Sequence, residues 1–115
     1  MTTKEVYTML TGVNIPCVYH HFADNSGQQP PFICFYYPQD DDFKADNCNY
    51  SRINQLIVEL YTDNKDFTLE ETLETALSGS GLVWSKVETY IDSENMYEVA
   101  YTMDVVMTKE VITNE

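Results

Sequence analysis

Between Ile15 and Asp63 the aromatic, apolar runs IPCVYHH, PFICFYY and INQLIVELYTD enclose the polar tract PQDDDFKADNCNY. Apolar runs of this kind pack into one sheet, whereas three successive aspartates repel one another and resist burial in it. The stretch therefore predicts three strands, Cys17 to Phe22, Phe32 to Tyr37 and Ser51 to Thr62, with an exposed loop over Gln39 to Tyr50. The first two, joined by about eight residues bracketed by Asp24-Asn25-Ser26-Gly27 and Pro30-Pro31, read as a hairpin.

The third strand has the clearest alternation. Leu56, Val58 and Leu60 share one face with Asn54 and Thr62, and Ile53, Ile57 and Tyr61 make the opposite face apolar as well. Apolarity on both sides predicts that both faces are at least partly covered, by a helix, a second sheet or another subunit.

Flanking segments change period from two to 3.6. Thr2 with Glu5 forms a capping box ahead of Val6, Met9, Leu10 and Val13, which predicts a short amphipathic helix ended by Gly12, Asn14 and Pro16. Thr68 with Glu71 offers a second box before Leu69, Leu73, Ala76 and Leu77, with a stop at Ser78-Gly79-Ser80-Gly81; Glu70 and Glu71 there suit the positive end of the helix dipole. Leu82 to Ile91 and Met96 to Met107 read as antiparallel strands around Asp92-Ser93-Glu94-Asn95. In the last, Tyr97, Val99, Tyr101, Met103, Val105 and Met107 alternate with Glu98, Thr102 and Asp104. The order α-β-β-β-α-β-β predicts an α+β fold: a mostly antiparallel sheet of about five strands with two helices on one face. At 115 residues one domain over 1–115 is expected, with a loop over about 38–50 and a frayed tail over about 108–115.

Net charge bounds the partners. Nineteen acidic against six basic side chains give a formal charge of −13, so no basic stripe can form to replace counterions on a nucleic acid. The charge suits a solvated surface, a basic partner, a DNA-mimicking inhibitor or a wall past which DNA slides. Hydrophobic residues at 43% suffice for a core despite that charge. No run approaches a membrane span and the N-terminus lacks a signal-peptide pattern, so neither membrane nor secretion is expected.

No constellation announces chemistry. Cys17, Cys34 and Cys48 lack ligand spacing and read as reduced cytoplasmic thiols, two of them within apolar runs. His20 and His21, adjacent residues of the expected first strand, point to opposite faces and cannot share one ion. Asp40, Asp41, Asp42, Asp46, Asn47 and Asn49 lack the spacing and central glycine of an EF-hand loop. No nucleophile elbow, phosphate loop or metalloprotease motif occurs, so no enzyme and no cofactor is expected. Arg52, the single arginine, suits either a surface ion pair or a bidentate contact to a neighbour's carboxylate. Trp84, Tyr90, Tyr97 and Tyr101 suit either core or interface, and nine tyrosines exceed what a core of this size would bury.

The run IPCVYHHFADNSGQQPPFICFYYPQDDDFKADNCNY, then INQLIVELYTDNKD, TLEETLETAL and VWSKVETYIDSENMYEVAYTMDV, resembles the tail-completion or tail-terminator proteins of long-tailed phages and prophages. The resemblance covers Val6 to Val106 and rests on the pattern of elements and phrases such as IPCVYHHF and QLIVELYTD. It implies a hexameric ring of copies at the head-proximal end of the tail tube, halting tube growth and joining tail to head. Its partners would be the tail tube protein and a head-completion or connector protein, with DNA passing through the lumen unbound. The setting would be host cytoplasm during assembly and then the virion.

That family has no strict residue motif, so contact residues come from this chain. Asp40, Asp41, Asp42, Phe43, Lys44 and Asp46 are the expected loop contacts, and Arg52, Ile53, Ile57 and Tyr61 the expected subunit interface. Two other readings stay open: an acidic DNA mimic, and a head-side connector subunit.

Overall fold

The computed structural model describes residues 1–22, 27–38 and 51–108. Helix α1 (Thr3–Thr11) precedes β1 (Cys17–Tyr19), β2 (Phe32–Tyr36) and β3 (Ser51–Thr62); α2 (Phe67–Gly79), β4 (Trp84–Ile91), a 3-10 turn (Asp92–Glu94) and β5 (Met96–Thr108) complete it. One five-stranded sheet has the order β1-β2-β3-β5-β4. The expected α+β fold and element order are present. The proposed acidic loop and the C-terminal tail beyond Thr108 lie outside the described residues.

Local chemistry accounts for both helices. Thr2 and Glu5 close the reciprocal box at α1: the Glu5 amide donates to the Thr2 hydroxyl (3.1 Å) and the Thr2 amide to the Glu5 carboxylate (2.9 Å). Gly12 keeps right-handed backbone, and the positive φ that turns the chain falls on Asn14 (75°), an amide side chain that tolerates it. At α2 the cap is Asp66, not the predicted Thr68–Glu71 box. Its carboxylate accepts from the Leu69 amide (3.0 Å), so the helix begins two residues earlier and Thr68 and Glu71 fall inside it. Asp66→Ala is expected to cost about 1 kcal/mol, read as a lower urea midpoint with unchanged m-value.

The first pair of strands departs from the hairpin expectation. β1 and β2 run parallel, with Cys17 beside Ile33 and Tyr19 beside Phe35. β1 stops at Tyr19 because His20 takes φ 73°, which no strand accommodates. The link is thereby residues 20–31, about the dozen that a parallel return requires. All other pairings are antiparallel, and β3 with β5 forms the spine, from Ser51 beside Thr108 to Thr62 beside Tyr97.

Alternation along this spine separates two faces. On one, Leu56, Val58 and Leu60 of β3 join Ile33 and Phe35 of β2 and Val99, Tyr101, Met103, Val105 and Met107 of β5. Val6 and Leu10 of α1 and Leu73 and Leu77 of α2 close over them. Asn54 and Thr62 are buried on that same face, as the strand pattern predicts. Both helices thus cover one side of the sheet, and burying these side chains contributes roughly 1.5–3 kcal/mol each before entropy is counted.

Candidate docking groove on the uncovered sheet face

No described helix lies on the opposite face, which carries Phe32, Cys34 and Tyr36 of β2, Ile53, Ile57, Glu59 and Tyr61 of β3, and Glu98, Ala100 and Val106 of β5. Cover by a helix or sheet on both sides, allowed for by the apolarity of β3, is therefore not found among the described residues. Aromatic rings shield its middle instead. Phe32 stacks on Tyr61 (4.9 Å between centroids) and meets Phe22 edge-on (5.3 Å). Towards the far end of β3 this shielding stops: Ile53 is 69% exposed and its cross-strand neighbour Val106 55%. Val87, beside Ala100 on β4, is 67% exposed.

Three of the four expected interface residues lie together. Ile53, Ile57 and Tyr61 share the uncovered face, with Ile57 and Tyr61 half-buried. The backbone of Arg52 pairs with Met107 on β5. The loop residues Asp40, Asp41, Asp42, Phe43, Lys44 and Asp46 lie outside the described residues. Of the ambiguous aromatics, Tyr101 is fully buried. Trp84 is half-buried, its indole N–H on the Ser78 hydroxyl (3.0 Å) and its ring edge-on to Tyr101 (5.3 Å). Tyr90 stays exposed against the half-buried Tyr97 (4.9 Å).

Two glutamates that sequence reasoning passed over are the centre of this face. The Tyr61 hydroxyl lies 2.8 Å from Glu59 Oε1 and 3.1 Å from Glu98 Oε2, and the Tyr36 hydroxyl donates to Glu59 Oε2 (3.3 Å). A phenol has one proton, so Tyr61 can donate to only one of its two carboxylates at a time. With Tyr36 on Glu59, Tyr61 can serve Glu98, but the two carboxylates still face each other across one hydroxyl on a half-buried floor. Burial first, and then the charge of Glu59, accordingly raise Glu98 above the ordinary glutamate range. Burial and the Glu59 hydrogen bond raise Tyr61, and burial with the Glu59 charge raises Tyr36, so both remain phenols. Cys34 sits on the same floor with its thiol pushed up to about 11 by burial and by Glu59. A sequence signal existed: Glu59 and Glu98 are acids embedded in the strand phrases LIVELYT and MYEVAYT, where a solvated acid is out of place.

These groups floor a groove of about 770 Å³ whose rim includes His20, His21 and Gln29. The histidines correct a sequence expectation. Because β1 ends at Tyr19, they are not alternating strand residues, and their rings lie 4.8 Å apart, with His20 edge-on to Tyr36 (5.7 Å).

The helix-covered side has a separate polar network. Glu70 on α2, only 3% exposed, takes Lys65 (2.5 Å) and Lys86 (3.4 Å); Lys65 also reaches Glu88 (2.5 Å) and Lys86 reaches Glu74 (2.7 Å). The Tyr101 hydroxyl donates to Glu74 (2.8 Å). Burial would raise the Glu74 carboxyl, but the bonds from Lys86 and Tyr101 outweigh it and hold it low. Glu70 is in the first turn of α2, where an acid suits the helix dipole, and is also an internal ion partner.

A chain from the virion of a native gene transfer agent particle shares this fold at a TM-score of 0.54 and 11% identity, over 88% of this chain and 90% of that one. A crystal structure from Akkermansia muciniphila matches at a TM-score of 0.46 and 12% identity, over 97% and 75%. No family model and no curated protein matches the sequence. At such identity the first likeness speaks to the fold, nearly end to end in both chains.

Proposed function

We propose that this chain is a structural subunit of a phage-type virion and, more finely, a tail-terminator protein. Copies would close into a ring on the head-proximal end of the tail tube, stop its growth and offer the surface to which the head joins. The observation that carries this reading is the sheet face that no described helix covers, where Ile53 and Val106 lie side by side and exposed on a strand pair that a soluble monomer would be expected to make polar. The fold shared with a virion chain and the resemblance in the element pattern support it. A ring needs one patch to meet a different patch on the next copy, and this face with the half-exposed tyrosines at other positions supplies candidates. The charge of −13 fits a lumen that repels passing phosphates over a screening length of roughly 8 Å.

Native mass spectrometry with negative-stain imaging, run with and without tail tubes, tests the reading. A six-membered ring, alone or on the tube end, is the expected result, and Ile53→Asp/Val106→Asp is expected to leave monomer with unchanged thermal stability. A chain that stays monomeric with tubes present, or a double variant that still forms rings, would count against it. Stoichiometric binding of a basic nucleic-acid enzyme by that monomer would favour the DNA-mimic reading suggested by the charge. Labelling of the ring at the capsid vertex in place of the tube end would move it to the head side.

A further inference from the structure

We propose that the groove over Glu59 and Glu98 seats a lysine or arginine side chain presented by a protein other than this one. The inference rests on reading the uncovered face as a contact surface, and not on ring closure. Three features select that occupant.

The first is charge. Glu59 and Glu98 have tyrosine hydroxyls as their hydrogen-bond partners in the groove, while Lys65 and Lys86 are committed to Glu70, Glu74 and Glu88 on the other side of the sheet. The remaining described lysine, Lys4, is on α1, in the helical layer. The second is shape. Phe32 and Tyr61, stacked at 4.9 Å, and Tyr36 with His20 give flat walls beside the carboxylates, on which a guanidinium or the stem of a lysine can lie. The third is the net charge of −13, which makes a second copy of this chain a poorer occupant than a basic partner.

Arrival of a cation changes the proton count. Glu59 and Glu98 meet at the one hydroxyl of Tyr61 on a half-buried floor, where two negative charges repel, so the empty groove favours a proton on Glu98; a guanidinium compensates both charges and releases that proton to solvent. Binding therefore weakens as pH falls. The titratable groups facing this pair are Tyr61 of β3, Tyr36 and Cys34 of β2, and His20, His21 and Glu94 at the rim. Tyrosine and cysteine stay neutral over the range concerned, so the histidines are the groups to be separated from the glutamates.

The test uses the full-length 15N-labelled protein and two capped peptides, acetyl-Leu-Arg-Leu-amide and its twin with citrulline for arginine, titrated by NMR. The arginine peptide is expected to move amides of β2, β3 and β5 around Glu59 and Glu98, and to bind about tenfold more tightly than the citrulline twin. Glu59→Gln/Glu98→Gln, an isosteric change whose fold the same spectra verify, should remove that advantage. Affinity should fall about threefold or more between about pH 7 and about pH 5, and His20→Asn/His21→Asn should keep that fall. Equal binding of the twins, shifts confined to another surface, full affinity in the double glutamine variant, or no arginine binding below about 10 mM overturns the proposal. So does a dilution series without peptide that moves the same amides, since a second copy would then be the occupant. Ring formation is read separately by mass, so failure here and failure of the assembly reading are distinct.

Discussion

Lys65→Ala/Lys86→Ala is expected to destabilise the folded chain by about 3 kcal/mol, because it strands a buried carboxylate without a counter-charge. Glu70 is 3% exposed, and these two ammonium groups are its ion partners. The reverse deletion is milder. In Glu70→Leu the lysines keep Glu88 and Glu74 and, with side chains 22% and 41% exposed, reach water, so a loss below about 1 kcal/mol is expected. Urea melts of the three proteins test this asymmetry, and equal losses in both variants would refute it.

The pH dependence of the double variant follows with a definite sign. The double variant lacks Lys86, whose bond to Glu74 helps to hold that carboxyl down. In the wild type the Glu74 carboxyl is held below its ordinary value, so its contribution is present above the usual glutamate range and lost as pH falls. The gap between the two proteins should therefore widen with pH. A constant gap would mean that the Lys86–Glu74 bond contributes nothing to the loss.

Tyr101→Ala should cost about 4 kcal/mol and lower Tm by about 15–20 °C, whereas Tyr101→Phe should cost about 1 kcal/mol. The ring is fully buried between Val58 on β3, Lys86 on β4 and the edge of Trp84, and only its hydroxyl reaches Glu74. Removing the ring opens a cavity at the centre of the helix-covered face. Removing the hydroxyl alone leaves Glu74 with Lys86 at 2.7 Å. Calorimetry on both variants distinguishes packing from hydrogen bonding, and similar losses would show that the Glu74 bond carries the site.

Much of the fold is legible in the residues because period is a local property. Ser51–Thr62 and Met96–Thr108 alternate over enough residues that only strands, each with one apolar face, satisfy them, and the pattern correctly assigns Asn54 and Thr62 to the buried side. The Thr2–Glu5 box needs only three residues of reach and forms as read. The α2 start was misplaced for the same locality: Asp66 and Thr68 both have capping chemistry, and which one caps depends on where the turn leaving β3 delivers the chain. Parallel pairing of β1 with β2 was hidden because it hinges on one backbone angle, φ 73° at His20, that residue type alone does not announce.

By itself, then, the sequence determined the elements, their order, the helix-covered face of β3 and β5, and the acidity that disfavours nucleic-acid binding. Tertiary structure alone decided which acids meet. Among nineteen carboxylates the order of residues marks Glu59 and Glu98 as acids within strand phrases, but nothing in it pairs them with each other, or Glu70 with two lysines. Antiparallel register does so, setting Glu98 opposite Tyr61 and Glu59 one pleat away on the same face. The face left open by the helices then gives that pair a groove. Side-chain period is written along the chain, but the partner across the sheet is chosen by packing, and electrostatic interactions depend on distances that only the packed chain defines.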